Sequence, residues 1–302
     1  MKKGKFILML IAVATLISCG TTSTVPITGR KHTLSVSDEQ VLALSNQEYT
    51  KYMSSAKLST NAEQTAMVKR VGTRLATAVE TYLKNNGYAN EVKNFSWKFN
   101  LVQNNEVNAF CMPGGKIVVY TGLLPVTQNE TALAIVLGHE IAHAVAKHSA
   151  EQMSKQYRQQ VATSIGGAVL NQVSSGVGDI ASNIAGTAFS FANAKYSRAN
   201  ESEADHMGLI FAAMAGYNPN EAVTFWTRMA NASSNSQQSG LQNWLSDHPS
   251  DQQRIKDIKG WLPEALKYYH PSTTTSTSSK KKTTKSTSSK KKTTSQKSTR
   301  RR

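Results

Sequence analysis

Near the middle of the chain stand two histidines four residues apart, with a glutamate after the first: His139-Glu140-Ile141-Ala142-His143. They close an apolar run, Ala132 to Leu137, whose pattern predicts a helix. On a helix, residues four apart share a face, so both imidazoles point the same way and can hold one metal ion. Zinc takes such ring nitrogens at about 2.0–2.1 Å. Glu140 sits one residue round and flanks the metal without binding it. That place suits a base taking a proton from a metal-bound water. Three fixed positions also arise by chance, and the plainer reading is a buried helix with two packing histidines. Two features weigh toward the metal: the small or apolar Ile141, Ala142, Ala144 and Val145, and the cost of burying Glu140 without a partner.

A catalytic zinc needs a third protein ligand and an open fourth position. The spacing used by metzincins fails, because Ser149 stands where their third histidine would be and Ala146 where their glycine would be. His148, five residues beyond His143, should face elsewhere as a surface or packing histidine. The better candidate lies in Ser197-Arg198-Ala199-Asn200-Glu201-Ser202-Glu203-Ala204-Asp205-His206-Met207-Gly208. Glu201 and Asp205 are four apart and share a helix face. Glu201 can reach a metal while Asp205 orients a ligating histidine. Glu203 should point away, into solvent. Acidic residues also gather at helix starts for dipole reasons, which is the competing explanation.

The two stretches together resemble the HtpX, BepA and LoiP type of zinc metallopeptidase, a family that also holds the CAAX prenyl protease and the mitochondrial OMA protease. Two more stretches carry the resemblance. One is Asn108-Ala109-Phe110-Cys111-Met112-Pro113-Gly114-Gly115-Lys116-Ile117 with Thr121-Gly122-Leu123-Leu124, and the other is His248-Pro249-Ser250-Asp251-Gln252-Gln253-Arg254. The resemblance implies His139, His143 and Glu201 as zinc ligands, Glu140 as the catalytic base and Asp205 as the support of a ligand. It implies that His248 lies near the zinc, blocking it or steadying the transition state, with Arg254 as a neighbour. It also implies that Asn108 and Ala109 lie on an edge strand that receives the substrate as an added strand. A purely structural hairpin is equally compatible with the spacing there.

The chain opens with Lys2, Lys3 and Lys5 and an apolar run from Phe6 to Ile17. That run is too short to span a membrane comfortably and reads as the core of a signal peptide over residues 1–18. Leu16-Ile17-Ser18-Cys19-Gly20 then resembles a bacterial lipobox, which implies cleavage before Cys19 and a lipid on it. An ordinary signal with an incidental cysteine is the alternative. If Cys19 carries lipid, Cys111 has no disulfide partner and serves as a small packing residue. Residues 19–34, rich in Thr with Ser and Pro, are expected to be a tether.

The net charge of +16 misleads if it is taken whole. The signal contributes 3 cations and the tail from Pro271 to Arg302 contributes 11 with no acid, leaving 21 basic against 19 acidic residues in the body. A nearly neutral body argues against specific nucleic-acid binding by the folded domain. The tail at 271–302 repeats Lys-Lys-Lys-Thr-Thr, contains no apolar side chain and is expected to be disordered. It is either simply solvated or an electrostatic contact for anionic polymers or headgroups.

Between these ends the pattern predicts a helix over Ser37 to Lys57 with a Ser37–Gln40 capping box. A second helix follows, opened by Thr60 and Glu63, carrying Met67, Val71, Leu75, Val79 and Leu83 on one face and stopping at Gly87. Short strands are expected at Phe95 to Val102, Val107 to Met112 and Lys116 to Thr121, with Pro113-Gly114-Gly115 turning the last two. The metal-bearing helix should start at Asn129 and run to about His148. Ser149 to Tyr196 is polar and helical at first and then glycine-rich. It is either a helical hairpin or a lid over the cleft, and its glycines favour the lid. A helix over Glu201 to Ala215, another opened by Asn218-Pro219 and a last short one over Asp251 to Lys259 complete the set.

These readings converge on one α+β, zincin-like (gluzincin) domain at residues 35–270, mostly helical with a small sheet. The expected function is a zinc-dependent endopeptidase acting on protein or peptide substrates. It would sit in the bacterial cell envelope on an N-terminal lipid anchor, at the outer membrane facing the periplasm. A chaperone-like or peptide-binding lipoprotein with a latent zinc site, and a structural lipoprotein with a chance motif, are the rivals.

Overall fold

A computed structural model describes residues 20–166, 190–191, 194–235, 248 and 252–271. The signal, Cys19, most of the expected lid and the basic tail lie outside the described residues. The elements in chain order are β1 (Thr21–Thr24), β2 (Lys31–Leu34), α1 (Asp38–Ser55), α2 (Ala62–Asn85), β3 (Lys98–Val102), β4 (Ala109–Met112) and β5 (Lys116–Tyr120). After them come α3 (Glu130–Val145), α4 (His148–Gly166), α5 (Arg198–Met214), α6 (Glu221–Asn235) and α7 (Gln252–Ala265). No helix among the described residues is long and apolar enough to cross a membrane.

Residues 19–34 were expected to be a tether, and most of that stretch is folded. β1 and β2 pair antiparallel from Thr21↔Leu34 to Thr24↔Lys31. Polar composition hid a strand: Lys31-His32-Thr33-Leu34 alternates exposed and buried, as a half-buried strand must. Val25 at the hairpin tip is packed into the main core.

Local chemistry explains where the long helices start. Ser37 and Gln40 form the reciprocal capping box at α1. The cap of α2 is Asn61, which accepts from the Gln64 amide, one residue beyond the expected Thr60. Of the expected stripe on α2, Met67 is only partly buried and Val68 takes the innermost place beside it, while Val71, Leu75, Val79 and Leu83 are fully buried. Each such side chain contributes about 1.5–3 kcal/mol relative to exposure.

The main sheet has the order β3-β5-β4, with β3 parallel and β4 antiparallel to β5. Gly114 and Gly115 turn β4 into β5 at φ of +80° and +83°, a region that costs other residues dearly. Alternate side chains serve two layers. Ala109, Cys111, Ile117 and Val119 face a core shared with α2, α3 and α5. Phe110, Met112, Val118 and Tyr120 face a second core with Val41 of α1 and Met153 of α4. With both faces covered, β4 and β5 read as continuous buried runs.

Helix α3 is capped by Asn129, whose side chain accepts from the Ala132 amide at 2.8 Å. It ends earlier than expected. Lys147 takes a left-handed φ of +59°, and α4 begins at His148 on a new axis. The Lys147 ammonium stabilises the break by pairing with Asp38 at 2.8 Å and Glu91 at 2.9 Å. His148 therefore does not continue the register of the metal-bearing helix.

Candidate active site

Helices α3 and α5 cross at glycine. A Cβ placed on Gly208 would lie 2.6 Å from the His139 amide nitrogen, so no side chain fits between the two backbones there. This close approach sets the first turns of α5, opened by the Ser197 cap, against the end of α3. Glu201 is thereby delivered to the two histidines.

His139, His143, Glu201 and His248 each offer one ligand atom, and these atoms all lie within 4.8 Å of one another. His139 Nε2 lies 3.0 Å from His143 Nε2, 3.4 Å from Glu201 Oε2 and 3.3 Å from His248 Nδ1. Glu201 Oε1 stands 3.3 Å from His143 Nε2, and Oε2 stands 2.9 Å from His248 Nδ1. A tetrahedral ion with ligands at about 2.0–2.1 Å has edges of roughly 3.3 Å, and these separations match that figure. Two further observations fit a metal. The Nδ1 atom of His139 lies 2.8 Å from the Asp205 carboxylate, which can only accept, so in the neutral ring that a metal requires it is Nε2 that presents the lone pair to the cluster. Glu201 Oε1 is buried and makes no hydrogen bond among the described residues.

Charge follows the same geometry. Burial pulls His139 toward its neutral form, but the carboxylates of Asp205 and Glu201 outweigh it and hold the ring up to about 10. Burial resists ionisation of Glu201 too, yet His248, His139 and His143 hold it well below the usual carboxylate range. His143 is driven well below its ordinary value by burial. The buried carboxylates thus favour positive charge at the centre of these donors, the role a divalent cation fills.

Glu140 is 4 % exposed and aims at the same space. Burial pushes its carboxyl up, against the pull of His248 and His139. Its Oε1 lies 3.8 Å from His248 Nε2 and has no hydrogen-bond partner among the described residues. Arg254, expected as a neighbour of His248, stands in the same cluster, 4.0 Å from the Glu201 Oε2 that His248 contacts, and it also pairs with Asp205. Its Nη2 donates to Asp205 Oδ1 at 2.6 Å, and its guanidinium lies 3.3 Å over the Trp226 ring.

Asn108 directly precedes and Ala109 opens β4, an edge strand that pairs only with β5 among the described residues. Cys111 of the same strand is a buried free thiol that feels the Glu140 charge, which places β4 beside the site. Cys19 lies outside the described residues.

Three neighbours escaped the sequence reading. His148, expected to face away, lies 2.8 Å from His143 through the Nδ1 atoms of both rings. Glu203, expected in solvent, is buried and accepts from His148 Nε2 at 2.9 Å. Tyr196 stacks on His143 with centroids 4.1 Å apart, and its hydroxyl meets that of Ser149 at 2.8 Å. The left-handed Lys147 accounts for His148, and no periodicity rule would have found it. Tyr196 stands directly before the capped α5 motif, and that adjacency was its only signal.

The profile of peptidase family M48 matches residues 62–262. The mitochondrial metalloendopeptidase OMA1 of Saccharomyces cerevisiae is 36% identical over 171 residues, covering 56% of this chain and 47% of that protein. The human mitochondrial metalloendopeptidase OMA1 is 32% identical over 248 residues, covering 80% of this chain and 46% of that protein. The beta-barrel assembly-enhancing protease of Escherichia coli is 31% identical over 177 residues, covering 57% of this chain and 35% of that protein. The chain thus spans about half the length, or less, of these relatives. With the matched region running through both site helices, the chain belongs to peptidase family M48, whose metallopeptidases depend on zinc.

Proposed function

We propose that this protein is a zinc-dependent endopeptidase of the bacterial cell envelope that cleaves misfolded or unassembled envelope proteins. The observation that carries the reading is the convergence of His139, His143 and Glu201 on one point with Glu140 beside it. Bound zinc would polarise the scissile carbonyl and acidify a water, which is the chemistry such a donor set supports. The protein's own groups do the rest. Asp205, held by Arg254, fixes the ring of His139. Glu140 takes the proton of the attacking water and passes it to the leaving amine. The edge of β4 left unpaired among the described residues offers the backbone groups of Ala109 to an extended substrate, while the neighbouring Asn108 carbonyl accepts from the Tyr120 amide of β5 at 3.0 Å.

His248 is the fourth donor of the cluster and stands where a water would act. The described arrangement is therefore a resting one, and turnover requires its imidazole to withdraw. Once it does, Glu140 Oε1 faces the freed space. If the withdrawn state is a minor one, His248→Ala should raise casein cleavage on the order of tenfold while one zinc per chain remains. Zinc content and casein cleavage, measured together with and without a chelator, test the whole reading. No zinc in the wild-type chain would remove it. Zinc without cleavage in either form would make the chain a binding or chaperone-like factor instead.

The envelope location rests on residues 1–19 of the sequence, with the beta-barrel assembly-enhancing relative as a bacterial parallel. A lipid on Cys19 would hold the chain to a membrane, most simply the outer membrane facing the periplasm. Cys19→Ala should move the protein from the membrane fraction to the soluble one. A wild-type chain already found in the soluble fraction would exclude the anchor.

A further inference from the structure

We infer that His148 and Glu203 are positioning residues for His143, and that the N-terminal hairpin secures them through Arg30 and Thr28. This rests on the reading of His143 as a zinc ligand.

The chain of contacts is continuous. His143 turns Nε2 into the donor cluster and Nδ1 toward His148 Nδ1, 2.8 Å away. For Nε2 to offer a lone pair, Nδ1 must carry the proton and donate it. His148 Nδ1 then accepts, which puts the His148 proton on Nε2, 2.9 Å from Glu203 Oε2. A carboxylate can only accept, so one tautomer set satisfies every link. Glu203 takes two more donors from the hairpin, Arg30 Nε at 2.7 Å and Thr28 Oγ1 at 2.5 Å. Arg30 also reaches Glu151 of α4, which in turn bonds His32 of β2. The Tyr196 ring covers a face of His143, so the imidazole is held both at an edge and over a face.

The hairpin tip is shaped for this role. Val25 is buried in the main core, and its amide donates to the Arg30 carbonyl at 2.8 Å. Ile27 and Gly29 both take a φ of +68°, which folds the tip so that Thr28 and Arg30 face Glu203. Such a conformation is costly for Ile27 and persists only where surrounding contacts hold it. The hairpin precedes the family-matched region, which begins at residue 62. His139 has its support within that region, from Asp205 and Arg254. His143 draws on a segment outside it.

The test is the rate of zinc release from the full chain into excess colorimetric chelator, with the melting temperature of each zinc-free protein recorded beside it. His148→Phe keeps a flat ring and removes the acceptor, and it should speed release about 10–100-fold. Arg30→Met removes the cation two bonds further out and should speed release by a smaller factor, with Arg30→Lys restoring part of it. Because Arg30 acts through His148, the double variant should release zinc no faster than His148→Phe alone. Arg70→Met, which breaks a surface pair with Glu130, should leave the rate unchanged. If His148→Phe does not fold, Arg30→Met against Arg30→Lys still decides the matter. Unchanged release in these variants, with only the zinc-free melting temperature lowered, would show a merely structural network and overturn the inference. Additive effects of the two variants would break the proposed link. A wild-type chain that binds no zinc would instead overturn the metal reading itself.

Discussion

Glu140→Gln is expected to abolish cleavage of casein, with a loss of about 10²–10⁴-fold, while one zinc per chain is retained. The carboxylate is buried, and its Oε1 makes no hydrogen bond among the described residues. Its charge therefore gains little from the fold and costs desolvation. Burial pushes its proton affinity up, as suits a group that must take a proton and then give it away. Glutamine keeps the shape and the volume but cannot accept the proton and return it. Because Oε1 makes no hydrogen bond among the described residues and the charge is buried, the melting temperature should stay level or rise. Zinc content and melting temperature measured beside activity separate a lost base from a lost site. A variant that keeps more than about a tenth of the wild-type rate would mean that another group moves the proton.

Much of this centre was legible in the sequence, because helix periodicity is a local rule. His139 and His143 share a face, as do Glu201 and Asp205, and the structure brings the two faces together at one point. The cap at Ser37, the α2 stripe and the Gly114-Gly115 turn were readable for the same reason. What was not legible depends on single backbone departures and on contacts between distant segments. A non-glycine residue in the left-handed region, Lys147, breaks the register and turns His148 back toward His143. Extending the α3 helix through it sent His148 to the wrong side. Glu203 looked solvated because its partners, Thr28 and Arg30, lie more than a hundred and seventy residues away, in a stretch whose polar composition suggested a tether. For Arg254 only its place near the cluster was legible; its ion pair with Asp205, which a buried guanidinium needs, joins segments that spacing does not relate.

Gly208→Val should cost the protein both its zinc affinity and its stability, although valine is a better helix former than glycine. Position 208 lies inside α5, where helix propensity alone favours a substituted residue by a few tenths of a kcal/mol up to about 1 kcal/mol. The contact opposes this. A Cβ there would meet the His139 nitrogen at 2.6 Å, the Gly138 carbonyl carbon at 2.8 Å and the His139 Cα at 2.8 Å. All three are backbone atoms of α3 and cannot rotate away. Ordinary carbon contacts lie at about 3.5–4.0 Å, so the helices must separate by roughly 1 Å at this point. Overpacking of this kind costs typically about 1–3 kcal/mol, which exceeds the propensity gain. The separation falls directly beneath His139. Glu201 sits seven residues before Gly208 on the same rigid helix, and it would be carried off the histidines along with it. Displaced ligands should release zinc at least about tenfold faster, a loss of the size seen when the support of a ligand is removed. Gly260→Ala is the matched control, since a Cβ on Gly260 of α7 meets nothing within 4 Å. That variant should be neutral or slightly stabilising and should leave zinc release unchanged. Equal behaviour of the two variants would mean that the α3–α5 crossing tolerates expansion, and the close glycine contact would then not be what sets Glu201 against His139 and His143.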